Sequence, residues 1–592
     1  MANYQLSSWD LSEIKIKNIP ETVRKIGKLT AALESKKHLL TESIPADTFL
    51  SFVKGLELLK KEVNVWLGAY AQLKFAENSG DEDASALCSR IKTIATKIDN
   101  RLLFFELWFK NLPEGKAKEL ITASGKYHYF LECLRKTKPY TLKENEEKII
   151  NIKDAHGSSS LNSVYSIFTS QFEFVFAGKK LNQNELLVYV RDFSAEKREA
   201  AYRALLEKYK QNKDVIGEIY RSLLDDWREE CVGLRGYKNA VSVRNVDNDI
   251  PDKAVEMLLN ACRKNQHLFQ KFFEIKRKKL KLRKMRRFDL YAPYGKEDNN
   301  ISYNEAVNTV LDSFRRFSPI FNKEALNIIK TKHIHSRLQK NKNPGAFCSA
   351  VSAALNPYIL LNYTGTLRDV STLAHELGHG LHYNLAGKQS EFTFSAALPL
   401  AETASIFSEM LLSEYLQEKE PEKSKELLFA KLDEFYASII RQAGFVDFEI
   451  KAHKMVEEGK TIKEISNVYL ADLRKQLGNK IVVDDIFAYE WCYIPHIFHT
   501  PFYCYAYAFG NLLALALYEM YKCGKRKEKE KENEKRKEKG KEFASKIIEL
   551  LSKGGSESPL EITKAVGVDI CSEEFWQKGF DAIGKMVEEV SD

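Results

Sequence analysis

Apolar positions in the first third of the chain return every three or four residues. Phe49, Phe52, Val53, Leu56, Leu59, Val63, Trp66 and Tyr70 form one such series. At 3.6 residues per turn they share one face, so the spacing predicts a helix buried along a single stripe. The stretches Ala84–Phe109 and Asn184–Tyr209 step in the same way. Further on, Leu373, Leu377 and Leu381 recur at i+4 in a Pro-free run from Val370 to Leu385. Thr366 and Asp369 supply a capping box at its start, and Gly387 is placed to stop it as C′. Pro399 can open a further helix at its first position, one that carries Glu402 and Glu409. Strand-like runs are short and gather near 345–363. The pattern therefore predicts a mainly α, multi-helical protein with a small β-sheet beside the helix of residues 366–385.

A chain of 592 residues and 68.1 kDa can bury a large core, and length alone would suggest several domains. Only 14 Pro and 28 Gly, with no internal repeat or Gly/Ser linker, argue against a string of modules. The division adopted is a helical N-terminal lobe, 1–185, followed by 186–592, which carries the chemistry. The net charge of +9 is local: Lys522–Glu542 holds eleven Lys/Arg against six Glu. That stretch is expected to be a solvated, partly disordered helical insertion. Lys271–Arg287 has ten Lys/Arg and one acid. A nucleic-acid patch would look like this. However, Phe272, Phe273, Ile275 and Leu280 interleave with the cations, which reads better as the outer face of a buried helix. Nine scattered cysteines, an odd number without C-x-x-C, point to a reducing compartment. Cys504 is expected to be a packing residue. The first residues lack the basic and apolar regions of a signal peptide, and no apolar stretch reaches about 20 residues. Leu512–Tyr518 is apolar but short. A soluble, cytoplasmic protein with no membrane or nucleic-acid partner is expected.

The candidate chemistry starts at His375-Glu376-Leu377-Gly378-His379. Imidazoles at i and i+4 lie on one helical face and can reach one metal ion. Glu376 is about 100° round the helix, beside such an ion rather than on it, where a general base belongs. Chance would produce about 0.02 such motifs in a chain of this length. Gly378 and Gly380 weaken the helix by about 1 kcal/mol each, which suggests that something packs very close there.

A catalytic zinc site needs a third protein ligand. Leu385 stands where a metzincin would place its third His, which excludes that class. The next carboxylates are Glu391, Glu402 and Glu409. Glu391 lies in a short connector. Glu402 and Glu409 are seven residues apart and share a helical face, so a helix packed on the first could aim Glu402 at the metal. Glu409 could then accept a hydrogen bond from a ligand imidazole.

These residues resemble a known family. His-Glu-Leu-Gly-His, followed after some twenty residues by Ala401-Glu402-Thr403-Ala404-Ser405-x-Phe407-x-Glu409, is similar to oligoendopeptidase F, within the thimet-type oligopeptidases. The resemblance extends to Trp9-Asp10-Leu11-Ser12, to Pro344–Cys348 and to Pro357–Tyr363. It extends also to Ile494–Gly510, with His496, His499, Tyr503, Tyr505 and Tyr507. It thus spans most of the chain.

The resemblance implies an endopeptidase for short oligopeptides with one Zn²⁺ per chain, and a deep substrate channel between helical lobes. By family position Tyr507 is the oxyanion donor and His496 the substrate contact, with His499 as its rival and Tyr503 and Tyr505 as further substrate-binding groups. Phenols and an imidazole N–H are suitable donors to a developing oxyanion. The other reading of Tyr505 and Tyr507 is that they simply pack in an aromatic core. His375, His379 and Glu402 are expected to hold the ion, and Glu376 to take a proton from water and return it to the leaving amine. The segment Tyr358–Asn362 is expected to receive substrate as an added β-strand. A zinc-binding protein without catalysis is the rival reading, and cobalt or manganese would also suit the ligand set.

Overall fold

Four phenylalanines stack where the first apolar stripe meets the second. The helices Ala46–Val63 and Glu82–Asn111 bring Phe49 to 5.6 Å from Phe109, and Phe52 to 5.2 Å from Phe105, between ring centroids. Such pairs add about 0.5–1.5 kcal/mol each beyond the area they bury. Phe49, Phe52, Val53 and Leu59 are buried as the stripe predicts. Leu56 and Val63 of the same series are only half-buried, and so are Trp66 and Tyr70, where the chain continues through a π-helical stretch, Asn64–Ala69. Its wider turn rotates the buried face onto Val65, Leu67 and Ala69. The series from Asn184 to Tyr209 is also broken. It comprises a helix, Gln183–Val188, a 3₁₀ turn, Tyr189–Arg191, and a second helix, Ala195–Gln211, restarted by the Ser194 N-cap.

The computed structural model describes residues 3–295, 301–343, 345–526 and 533–591. Pro344 and residues 527–532 of the charged run lie outside the described residues. The chain is mainly α, with three small sheets among the described residues. It divides into two compact units, each assembled from three stretches. The first comprises residues 1–144, 297–415 and 520–568, and the second 145–296, 416–519 and 569–592. The division at 185/186 is one of chain order and bounds neither unit. No described helix is long and apolar enough to cross a membrane.

The first unit holds a three-stranded sheet in the order Ile334–His335, Tyr358–Leu360, Phe347–Ser349. The first pair is parallel and the second antiparallel, with Cys348 opposite Ile359. Tyr358–Leu360 is the fully buried central strand and is paired on both sides. The expectation that this segment accepts an added strand is therefore corrected: its backbone is already spent. The outer side of Ile334–His335 is covered by the N-terminal segment. Ser7 Oγ donates to Ile334 O at 2.8 Å, and Trp9 lies edge-on to His335 at 5.4 Å. Among the described residues of this sheet, Phe347–Ser349 is the strand that keeps an unpaired edge.

The motif residues sit on the helix Leu367–Leu385, opened by the predicted capping box between Thr366 and Asp369. It ends at Leu385, but not through a left-handed glycine. Gly387 lies in a 3₁₀ turn, and a Cβ there would meet Ala353 O at 2.8 Å. The two motif glycines have the same steric reason. A Cβ on Gly378 would stand 2.7 Å from Ser405 Cα and 2.8 Å from Ala404 O, both on the helix Leu398–Lys419. A Cβ on Gly380 would stand 2.5 Å from Ile328 Cδ1, on the helix Pro319–Lys330. The motif helix thus touches one neighbour backbone to backbone at Gly378.

Gly378→Ala should push those backbones apart and lower stability by about 1–3 kcal/mol. Gly27→Ala is the comparison: nothing lies within 4 Å of its Cβ position, and the better helix propensity should add up to about 1 kcal/mol. Denaturant unfolding checks both, and equal stability of the two variants would contradict the close contact.

Candidate metal centre

Close approach at Gly378 brings the face of Leu398–Lys419 that bears Glu402 and Glu409 against His375 and His379. Glu402 Oε2 lies 3.4 Å from His375 Nε2 and 3.4 Å from His379 Nε2. Neighbouring donors around a tetrahedral ion with bonds of about 2.0 Å are about 3.3 Å apart. The two imidazoles and this carboxylate offer one donor each, all within 4.8 Å of one another. They are the only such group of three or more among the described residues. Two imidazoles, once each gives a ring nitrogen lone pair, and a carboxylate would suit a divalent ion of intermediate hardness and leave a coordination position open.

The surroundings orient these donors. Glu409 Oε1 lies 2.7 Å from His375 Nδ1, and its other oxygen accepts from Ser371 Oγ at 2.9 Å. A proton held on Nδ1 leaves Nε2 as the electron-pair donor facing Glu402. Burial works against the charged form of His375, but its hydrogen bond to Glu409 prevails and lifts the pKa to about 9. Burial likewise opposes ionisation of Glu402. The hydrogen bond and charge of His379, the charge of His375 and the Ser405 hydroxyl at 2.9 Å outweigh it and hold the carboxyl down at about 2.

Glu376 is different. It is 5% exposed, and its Oε2 is buried without a hydrogen-bond partner. Burial pushes this carboxyl above the usual carboxylate range, against the nearby charges of His375 and His379. It is not a member of the three-donor group. A buried, unpaired carboxylate oxygen is costly unless a polar partner shares its space. The donor set and this orphaned oxygen together fit a metal with a polar ligand of its own.

Glu391, the other candidate ligand, is engaged elsewhere. Its Oε1 accepts from Ser352 Oγ at 2.6 Å, and its backbone N–H donates to Glu57. Ser371 and Ser405 were not singled out from sequence. Each lies three or four residues from a candidate ligand, a spacing equally common for solvated helix positions.

The His/Tyr segment lies in the second unit. Its members separate by burial. His496, Tyr503 and Tyr507 are half-buried and contact one another. Tyr507 OH is 3.4 Å from His496 Nε2, Tyr503 lies edge-on to Tyr507 at 5.0 Å, and the His496 and Tyr503 rings are parallel at 6.0 Å. Tyr505 is fully buried, its hydroxyl accepting from Asn248 Nδ2 at 2.7 Å and donating to Arg244 O at 3.4 Å. The expectation that Tyr505 binds substrate is corrected: its hydroxyl serves the core. His499 is exposed and lies 3.2 Å from Ser166 Oγ. Cys504 is buried, as a packing residue should be.

The basic run Lys271–Arg287 is partly neutralised from within. Lys276 is buried and donates to Asp433 at 2.5 Å and to Leu290 O at 2.7 Å. Arg287 pairs with Glu490 in the interior, and Arg286 with Asp289 at 2.8 Å. Phe272 and Phe273 are fully buried as expected, whereas Ile275 and Leu280 are only half-buried and the cation Lys276, expected on the outer face, is buried.

Comparison with known proteins gives the following. The model of Peptidase family M3 matches residues 188–582, and that of Oligopeptidase F matches residues 108–174. The oligoendopeptidase F homolog of Borreliella burgdorferi is 27% identical, over 95% of this chain and 94% of that protein. Oligopeptidase PepF of Bacillus subtilis is 25% identical, over 89% of this chain and 78% of its own length. The crystal structure of oligoendopeptidase-F from Enterococcus faecium superposes with a TM-score of 0.71 at 19% identity, covering 96% and 98% of the two chains. At that identity the likeness speaks for the fold.

The purified protein should carry about one divalent ion per chain, as a single three-donor group implies. His375→Ala, His379→Ala and Glu402→Ala should each lose it in elemental analysis. Full metal content in Glu402→Ala would move the third donor to Glu391 or Glu409.

Proposed function

This chain belongs to peptidase family M3, and on that premise we propose that it is a zinc-dependent endopeptidase that cuts internal bonds of short, unstructured oligopeptides. That it is a metallopeptidase follows from the family. Zinc as the metal, internal cleavage and the roles below are our own assignments. The observation that carries them is the convergence of His375, His379 and Glu402 next to a buried carboxylate, Glu376, that has an unpaired oxygen.

In this reading His375 and His379 give their Nε2 lone pairs and Glu402 one oxygen to the ion. Glu409 and Ser371 hold the His375 ring in the tautomer that allows it. Bound there, zinc would supply Lewis acidity, lowering the pKa of water towards about 7 and polarising the scissile carbonyl. Glu376 accepts the proton of the attacking water on its unpaired oxygen and delivers it to the departing amine nitrogen. Burial raises its pKa, which favours the protonated form and supports the half of the task in which the proton is held before it is given back. His496 and Tyr507, joined through Nε2 and the phenol oxygen, are assigned to the substrate, with Tyr507 donating to the developing oxyanion. Tyr503 and His499 are assigned to substrate binding. Main-chain pairing with an extended peptide is assigned to the open edge of Phe347–Ser349, which would read backbone rather than side chains and favour broad specificity. The reading carries no nucleic-acid or membrane partner and places the protein in the cytoplasm.

Glu376→Gln should keep its metal and fold but lose about 10²–10⁴ in kcat on a quenched fluorescent peptide. Activity near wild type would remove the general-base role.

Tyr507→Phe should lower kcat by about 10²–10³ with little change in KM or metal content, because one donor to the oxyanion is lost. Tyr505→Phe should leave kcat intact and lower only stability, since its hydroxyl is bonded inside the core. The reverse pattern in steady-state kinetics would exchange the two roles.

A further inference from the structure

Phe502 is fully buried and has a left-handed backbone, φ 58°. For a bulky residue such a conformation persists only where its surroundings enforce it. What enforces it here is a grip on the preceding peptide plane from both ends. The Phe502 N–H donates to Glu449 Oε1 at 2.7 Å. The carbonyl of the same peptide, Pro501 O, accepts from Arg244 Nε at 3.1 Å. Glu449 comes from the helix Arg441–Glu457 and Arg244 from the helix Ala240–Asp247. The Phe502 ring lies against His453, one turn beyond Glu449, at 5.0 Å and 24°. Glu449 itself is buried, and burial pushes its carboxyl up to about 8. Two side chains from two helices therefore fix one peptide plane, and a third steadies its ring.

The next residue is Tyr503, whose ring meets both Tyr507 and His496. Its backbone closes the turn: Tyr503 N donates to Thr500 O at 3.1 Å, and Ala506 N to Tyr503 O at 3.0 Å. Turning the Pro501–Phe502 plane would swing Tyr503, whose ring packs beside those of His496 and Tyr507. We propose that Glu449 and Arg244 are positioning residues: by clamping the Pro501–Phe502 peptide plane they fix where Tyr503, His496 and Tyr507 present their polar atoms. The proposal rests on the assignment of that segment to the substrate. Neither residue needs to touch substrate. Their effect is on the geometry of groups that do, where a displacement of about 1 Å can cost 10²-fold in rate.

The test compares Glu449→Leu, Glu449→Gln, Arg244→Met and Tyr507→Phe in the full-length, metal-loaded protein. Each variant is measured for kcat and KM on a quenched peptide, for metal content and for thermal stability. Leu offers the Phe502 N–H no acceptor, whereas Gln keeps one of the same shape. Glu449→Leu should lose about 10–100-fold in kcat with metal content unchanged, and Glu449→Gln should restore it to near wild type. Arg244→Met releases the other end of the plane and should lose kcat likewise. It decides the matter if Glu449→Leu does not fold. Lower stability with wild-type kcat in Glu449→Leu or Arg244→Met would overturn the clamp, as would an equal loss in Glu449→Gln. If Tyr507→Phe loses kcat while Glu449→Leu and Arg244→Met do not, the clamp is wrong and the role of Tyr507 stands. A loss in the clamp variants with none in Tyr507→Phe would support positioning of Tyr503 and His496 while removing Tyr507 from the chemistry. No loss in any of them overturns both.

Discussion

The site depends on one steric fact, the contact of two helix backbones at Gly378. A side chain as small as methyl would collide there with Ser405 Cα and Ala404 O. Helix axes are usually held 8–10 Å apart by their side chains, and removing the side chain at the crossing lets a neighbouring carboxylate reach across. Glu402 and Glu409, about 10 Å apart along their helix at 1.5 Å per residue, then meet opposite sides of the same imidazole. Glu402 faces the His375 Nε2 and Glu409 its Nδ1. The glycine is a cost to the helix that carries it, and the approach it permits is the reason to bear that cost.

Within this cluster the carboxyls of Glu402 and Glu376 are driven in opposite directions. Glu402 receives two imidazoles and a hydroxyl, so its charged form prevails over burial. Glu376, on the same helix as those imidazoles, has burial without a hydrogen bond to its Oε2, so its neutral form gains. Neighbouring acids separated in this way are the usual arrangement when one is to stay ionised and the other to exchange a proton.

Much of this was legible in the sequence because it rests on local periodicity. Spacing i, i+4 put His375 and His379 together, spacing of seven put Glu402 and Glu409 on one face, and Thr366 with Asp369 marked where the helix begins. The glycine pair announced a close contact but not its partner. What was not legible depends on the third dimension. Gly387 looked like a left-handed helix stop and is instead room for Ala353 O. The stripe through Trp66 and Tyr70 was displaced by a π-helical stretch, which periodicity with a fixed angle cannot anticipate. Tyr505 and Tyr507, two residues apart in one helix, face differently, and only the partners Asn248 and His496 separate them. Strand order was the largest gap: Tyr358–Leu360 looked like a receptive strand, and pairing on both sides makes it the interior one.

The open edge of the three-stranded sheet, Phe347–Ser349, has a consequence for how the protein coexists with its own kind. Long, flat, unpaired edges recruit copies of themselves, and fibril-forming segments typically need six or seven residues. Three residues offer too few rungs for that. With the other edge sealed by the Ser7 and Trp9 segment, an extended peptide of the kind proposed as substrate would find a place alongside this sheet without the sheet becoming a template for stacking. Such a visitor gains only a few rungs of ladder, so it can also leave quickly. At high concentration, resistance to self-assembly and ease of release would then have the same origin, the shortness of one strand.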